Sequence, residues 1–264
     1  MKDQVNTLLQ RVPWRDLVPM RRSEGLMECL HPLPWLAASW ALAAHALWPL
    51  ALACSFMFFL TALRLNHEAI HGHLGFSAVG HRLVMHTLSV LMLGSNHAVA
   101  FNHLRHHKHA GTPLDLEGKA GRMNGWRVLI YGPLFPVEMH VDAWARGSRA
   151  LRRRMVIDGI GNAALVGLAV ALGSQMLLYH IAAVALAQCL TAFFAVWITH
   201  HGTHDDGLGA RTQRGVLINL LTYNMFFHLE HHLFPAVPVK RLGRLARRMD
   251  SVAPDIAARA ERVL

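Results

Sequence analysis

Eight histidines fall into three groups whose spacing puts them on common helix faces. His67 and His71 are four apart, His103, His106 and His107 form an H-x-x-H-H box, and His228, His231 and His232 form a second such box. Residues three and four apart share a helix face, so each group aims two or three imidazoles one way. Imidazole is a neutral donor suited to iron, copper, nickel and zinc. A zinc site takes three or four ligands, so eight imply two metals. The segment Thr199-His200-His201-Gly202-Thr203-His204-Asp205 ends a long apolar run. His200 is placed there as a ninth ligand, whereas His201 and His204 also read as helix-terminal groups favoured by the dipole. Cys29, Cys54 and Cys189 form no C-x-x-C pair, which argues against a disulfide framework, an iron–sulfur cluster and a thiolate zinc site. The chain also lacks the glutamate set of soluble carboxylate-bridged di-iron bundles. A nitrogen-rich dinuclear site suits an oxygen-dependent oxidation of a lipid-like substrate.

Side chains beside the boxes could tune ligand basicity. Candidates are Asn66, Glu68, Asp115, Glu117, Asn224 and Glu230. Each could equally be an ordinary cap or surface group. Asp115, just beyond the second box, and Asn224, one helical turn before His228, are the best placed. His31, His45, His81, His86, His97 and His180 are scattered and read as helix-end or interfacial groups bonded to a carbonyl or water.

The elements that must carry these groups are apolar. The chain has 264 residues, 53% hydrophobic and 16% charged, with mean hydropathy +0.27, too apolar for an ordinary soluble domain. No Asp, Glu, Lys or Arg lies between Glu28 and Arg64, a stretch of about 35 residues and roughly 50 Å as helix against a hydrocarbon core of about 30 Å. Trp48-Pro49 divides it into spans near 33–48 and 50–65. A second such stretch runs from Asp158 to Asp205, and Gly173-Ser174-Gln175 divides it into spans near 156–173 and 176–198. Leu83 to Gly94 is apolar but too short to span, and reads as an interfacial or re-entrant helix, as does Leu129 to Val141 despite its prolines. Charges at Lys2, Asp3, Arg11, Arg15 and Asp16 argue against an N-terminal signal peptide.

Arginines flank these spans. Arg11, Arg15, Arg21 and Arg22 precede the first, Arg146, Arg149, Arg152, Arg153 and Arg154 precede the third, and Lys240, Arg241, Arg244, Arg247 and Arg248 follow the fourth. The two short connections carry no charge. By the positive-inside rule both termini, the central segment and all three boxes face the cytoplasm. The same placement accounts for most of the formal charge of +10 and argues against nucleic-acid binding, since the basic residues lie beside spans without interleaved aromatics. Topology and anionic lipid are sufficient causes; docking of an anionic substrate carrier or electron donor on one cluster is the alternative.

His67-x-x-x-His71, His103-x-x-His106-His107 and His228-x-x-His231-His232 resemble the three histidine boxes of the membrane fatty acid desaturase and hydroxylase superfamily. Phe227-His228-Leu229-Glu230-His231-His232-Leu233-Phe234-Pro235, followed by Val237-Pro238, is similar to the third box of acyl-lipid desaturases, and Thr199-His200-His201-Gly202 to the extra-histidine motif after the fourth span. The resemblance covers roughly residues 30 to 250. It implies an all-α integral membrane protein in one domain over 1–264: an N-terminal cytoplasmic segment (1–30), a first hairpin (33–65), a cytoplasmic and interfacial segment with boxes one and two (66–155), a second hairpin (156–198), and a cytoplasmic segment with box three (199–264). It implies two iron ions held by His67, His71, His103, His106, His107, His200, His228, His231 and His232, with molecular oxygen as co-substrate. His73 and His109 depart from the minimal boxes. With no haem or iron–sulfur domain in the sequence, electrons are expected from a separate ferredoxin-, rubredoxin- or cytochrome-type carrier and its reductase. A fatty acyl desaturase is the leading expectation. Hydroxylase, carotenoid ketolase and terminal-alkene-forming activities share the boxes. A divalent-metal transporter is the rival class, and it would place histidines and acids within the spans.

Overall fold

The computed structural model describes residues 10–203, 208–254 and 256. Its regular elements are helices throughout. Helix α1 (Arg22–Leu30) runs into α2 (Pro32–Ala44), and Pro32 interrupts the hydrogen-bond ladder between them because it has no N–H. The chain turns back at His45 to Leu47, with Ala46 at φ 57°, and Pro49 opens α3 (Trp48–Ile70). The turn lies just before the Trp48-Pro49 pair expected to form it, and those two residues instead open the next helix. The expected span 33–48 is a helix of 13 residues, however, which reaches only about 20 Å. Its partner α3, at 23 residues, is long and apolar enough to cross a membrane.

Helices α4 (Ala78–Leu91) and α5 (Asn96–His109) form a pair bent by 114°. The apolar run Leu83–Gly94 is thus the end of a helix and a sharp reversal, in which Leu93 has φ 54°. Ser95 caps α5 by accepting from Ala98 N–H. Helices α6 (Gly125–Tyr131) and α7 (Leu134–Arg146) follow, split at Gly132-Pro133. A Cβ on Gly132 would lie 1.9 Å from the Cys189 carbonyl oxygen, so this close crossing requires glycine.

Helix α8 (Arg149–Ala171) and the continuous helix Gln175–His200 are the other two that meet the length and hydropathy needed to span; the bent pair would make a fourth. Asp158 lies inside α8, buried, and ties it to the bent pair. It accepts from His86 Nδ1 (2.6 Å), His97 Nδ1 (2.9 Å) and the Ser95 hydroxyl (2.6 Å). His86 and His97 therefore serve a carboxylate rather than a carbonyl or water. His180 does bond a carbonyl, that of Leu91 at 2.9 Å, and His45 is exposed in the turn.

The Gln175–His200 helix begins as α9 (Gln175–Thr191) and widens into a π-helical stretch over Ala192–Trp197 before ending at Ile198–His200. Three short elements complete the chain: α10 (Val216–Leu221), α11 (His228–Leu233) and α12 (Val239–Val252). Helix α12 buries Val239, Leu242, Leu245 and Met249 against Val12, Leu17, Phe227 and Phe234. Its polar face holds the N-terminal segment through Arg241–Glu24 and Arg248–Asp16 ion pairs.

Candidate metal centre

Box one sits at the end of α3, with His67 in the last turn and His71 just past it. Box two occupies the last turns of α5, box three makes up α11, and His200 ends the long helix. These four elements bring all nine expected ligands together in two groups. His67, His71, His103, His107 and His231 form one; His106, His200, His228 and His232 form the other. Within each group the donor atoms lie within 4.8 Å of one another.

In the first group, Nε2 of His231 lies 2.9 Å from Nε2 of both His67 and His107, and Nε2 of His103 lies 3.1 Å from His71 and 3.2 Å from His107. In the second, His228 is 2.8 Å from His200 and 3.1 Å from His232, while His106 is 3.2 and 3.3 Å from His200 and His232. The opposite ring nitrogens face acceptors. His103 Nδ1 donates to Glu117 (2.9 Å), His106 Nδ1 to both oxygens of Asp115 (2.9 Å), and His200 Nδ1 to the Gly209 carbonyl (2.7 Å). Those bonds fix the proton on Nδ1 and leave Nε2 as a lone pair. Lone pairs converging at such distances repel unless a cation lies among them, so the donor set fits a metal in each group.

Electrostatics agree for box three; burial would lower the His106 pKa too, but its bond to Asp115 raises it from the ordinary value. Burial pushes the His228, His231 and His232 pKa values well below 6.5, and neighbouring imidazoles push them further. These rings are neutral at pH 7, as ligation requires. Burial alone would raise the Glu117 carboxyl, but His103 and the adjacent imidazoles hold it at about 2.

The other expected neighbours divide. Asp115 and Glu117 bond His106 and His103 as described. Glu68 lies 3.7 Å from His67 Nδ1 and 3.4 Å from His73 Nδ1, and also accepts from Val239 N–H at 3.2 Å, so it joins box one to the start of α12. His73 is thereby buried at the edge of the site. Glu230 bonds Thr212 (2.7 Å) and Arg214 (2.6 Å), not a histidine. Asn224 lines a groove on the far side of α12. The Asn66 carboxamide is buried with no partner and borders the cavity described below. His201 stacks on Trp197 with ring centroids 4.6 Å apart and belongs to neither group. His204 lies outside the described residues, and His109 ends α5 with its ring outside both groups.

Sequence reasoning missed Gly118, Gly121 and Gly209. Gly118 N–H caps onto Asp115 (2.8 Å), and a Cβ there would sit 2.1 Å from Asp115 Oδ2. A Cβ on Gly121 would sit 2.8 Å from His200 Cβ. The spacing Asp115-x-x-Gly118-x-x-Gly121 was the available signal.

A cavity reaches both groups, touching His67, His103, His228 and His231. Away from them its wall is apolar, with Phe59, Leu63, Met92, Met139 and Phe194. The arrangement can hold two metals at the end of a greasy channel between helices able to span a membrane. No curated protein and no solved structure matches the chain. The model of the fatty acid desaturase family matches residues 38–261, and the chain belongs to that family.

Proposed function

We propose that this protein is a membrane-bound, oxygen-dependent fatty acyl desaturase with two iron ions. One group would hold five imidazoles, from His67, His71, His103, His107 and His231, and the other four, from His106, His200, His228 and His232. Iron bound there would supply reductive activation of oxygen and the power to break an unactivated C–H bond. The observation that carries the reading is the abutment of two convergent Nε2 groups on one apolar cavity.

The protein's own side chains position and exclude. Asp115, Glu117 and the Gly209 carbonyl orient three of the rings and keep their Nε2 lone pairs inward. Phe59, Leu63, Met92 and Phe194 line a path for an acyl chain and keep water from it. Two hydrogens lost from adjacent carbons would leave an alkene, and together with two electrons and two protons from outside they would reduce one oxygen molecule to two waters. Electrons come from a separate carrier protein with its reductase. The basic flanks of the helices support an orientation with both termini and the metal centre on the cytoplasmic side, beneath two helical hairpins.

The test is expression in a host with defined lipids, followed by lipid extraction and mass spectrometry. Wild-type protein should yield acyl chains lacking two hydrogens, and His106→Ala should not. Acyl chains that gain one oxygen would make it a hydroxylase. Unchanged lipids in cells with iron-loaded protein and a reducing carrier would overturn the acyl reading. Purified protein with NADPH and oxygen should be inactive until carrier and reductase are added.

A further inference from the structure

The basic residues of the C-terminal region are not equivalent. Arg241 binds Glu24, Arg248 binds Asp16, Lys240 binds Glu24, and Arg214 binds Glu230 and Asp250. Arg244 and Arg247 have no acid or carbonyl partner among the described residues. They are three apart on α12, both exposed, and line one groove with Lys240, Asn219, Asn224 and Phe227. Arg214 and Asp250, paired with each other, also line it, so the two unneutralised guanidinium groups leave the groove positive and favour an anion.

A second observation specifies the anion further. Asn219 is 4% exposed and lines this groove. Its Nδ2 donates to the carbonyls of Gln213 (2.7 Å) and Gly215 (3.1 Å), but its Oδ1 has no donor. A buried acceptor without a donor is costly. A phosphodiester alone cannot satisfy it, since it has no proton to give. A headgroup hydroxyl can.

A third observation fixes the depth. Helix α10 forms one wall, and Val216, Leu217, Leu220 and Leu221 are 84%, 68%, 70% and 57% exposed. Such a face is unfavourable in water and at rest among acyl chains. Val216 and Leu220 also border the groove, so this apolar face adjoins the basic one.

We infer that the groove between α10 and α12 binds an anionic phospholipid whose headgroup carries a hydroxyl, with phosphate on Arg244 and Arg247 and the hydroxyl on Asn219. None of the nine histidines lines this groove, although Phe227 and Arg214 connect it to box three, and the inference does not depend on the reaction at the metals.

The test uses the full chain in mild detergent and native mass spectrometry. Phosphatidylglycerol, phosphatidylcholine and phosphatidylmethanol of identical acyl chains are added in turn. Phosphatidylglycerol should be retained most. Arg244→Gln and Arg247→Gln should each lower its retention about fivefold, as expected for one interfacial cation. Both residues are exposed, so melting temperature and metal content should not change. Arg153→Gln, in the basic cluster that opens α8, should leave retention unaltered. Wild-type retention in the Arg244→Gln/Arg247→Gln double variant, or equal retention of phosphatidylcholine, would overturn the site. Phosphatidylmethanol, a diester without a hydroxyl, bound as tightly as phosphatidylglycerol would remove the hydroxyl from the assignment. Soluble glycerophosphoglycerol bound as tightly as the lipid would show that the acyl chains and α10 play no part.

Discussion

Asp115 carries more than one task at the residue scale. It takes the Nδ1 proton of His106 with both oxygens and caps Gly118 N–H. Replacing it with Asn removes the charge opposite a ligand and leaves the size. Loss of such a partner typically lowers metal affinity or activity about 10–100-fold. Asp115→Asn should fall in that range when iron affinity is measured by chelator competition, and Gly118→Ala should approach it, because its Cβ would displace the carboxylate. Unchanged affinity in both would show that Asp115 only shapes the turn. The histidines at the end of the long helix make a sharper comparison. His200→Ala should lose one metal of two, since the second group then has three imidazoles. His201→Ala should keep both, because that ring rests on Trp197. Equal metal loss in the two variants would mean that the assignment of His200 is wrong.

The eight box histidines were legible as groups because spacings of three and four on a helix follow from its pitch; His200 has no such spacing to another ligand and is placed only by the end of an apolar run. The elements were less legible where tertiary packing decides. Nothing local in Ala192–Trp197 signals a π-helical stretch, whose slipped hydrogen bonds answer to neighbours. Nor did hydropathy show that 33–48 would make a helix of only 13 residues, with Pro32 fixing its start and the His45–Leu47 turn its end. The groove-facing Asn224 looked like a neighbour of His228 by sequence spacing, yet the reversal at Tyr223 and Asn224, φ 53° and 64°, turns that segment away. Helix α12 shows how an element without a ligand governs the site. Its N-terminus is held by Glu68, beside His67, and its buried face packs on Phe227 and Phe234, at either end of box three. Leu245 is fully buried there. Leu245→Ala should therefore cost about 2–5 kcal/mol and lower metal occupancy as well, whereas Leu245→Met should cost less than about 1.5 kcal/mol. Thermal unfolding with metal analysis would decide it; full occupancy in a strongly destabilised Leu245→Ala would uncouple α12 from the centre.

At the scale of the whole molecule, the candidate metal centre is where distant parts of the chain meet: the end of α3, the end of α5, the end of the long helix and α11. An ion bound only by the folded chain stabilises it by mass action, about 4 kcal/mol when its concentration is a thousand times Kd. A protein of this size shifts its melting temperature by about 2–4 °C per kcal/mol. Chelation at pH 7.5 should therefore lower Tm by roughly 10 °C or more. Acid should act on the metal-free protein in the same direction. The folded pKa values of His228, His231 and His232 lie well below 6.5, because burial and then the neighbouring imidazoles disfavour their charged forms. The unfolded chain keeps the ordinary value, so below pH 6.5 it binds more protons than the folded chain. Stability then falls as pH falls. The metal-free protein should melt lower at pH 5.5 than at 7.5, and iron-loaded protein should converge on it as protons displace the metal. A Tm that neither chelation nor acid moves would mean that the imidazoles are held together by the helices alone, with no ion between them.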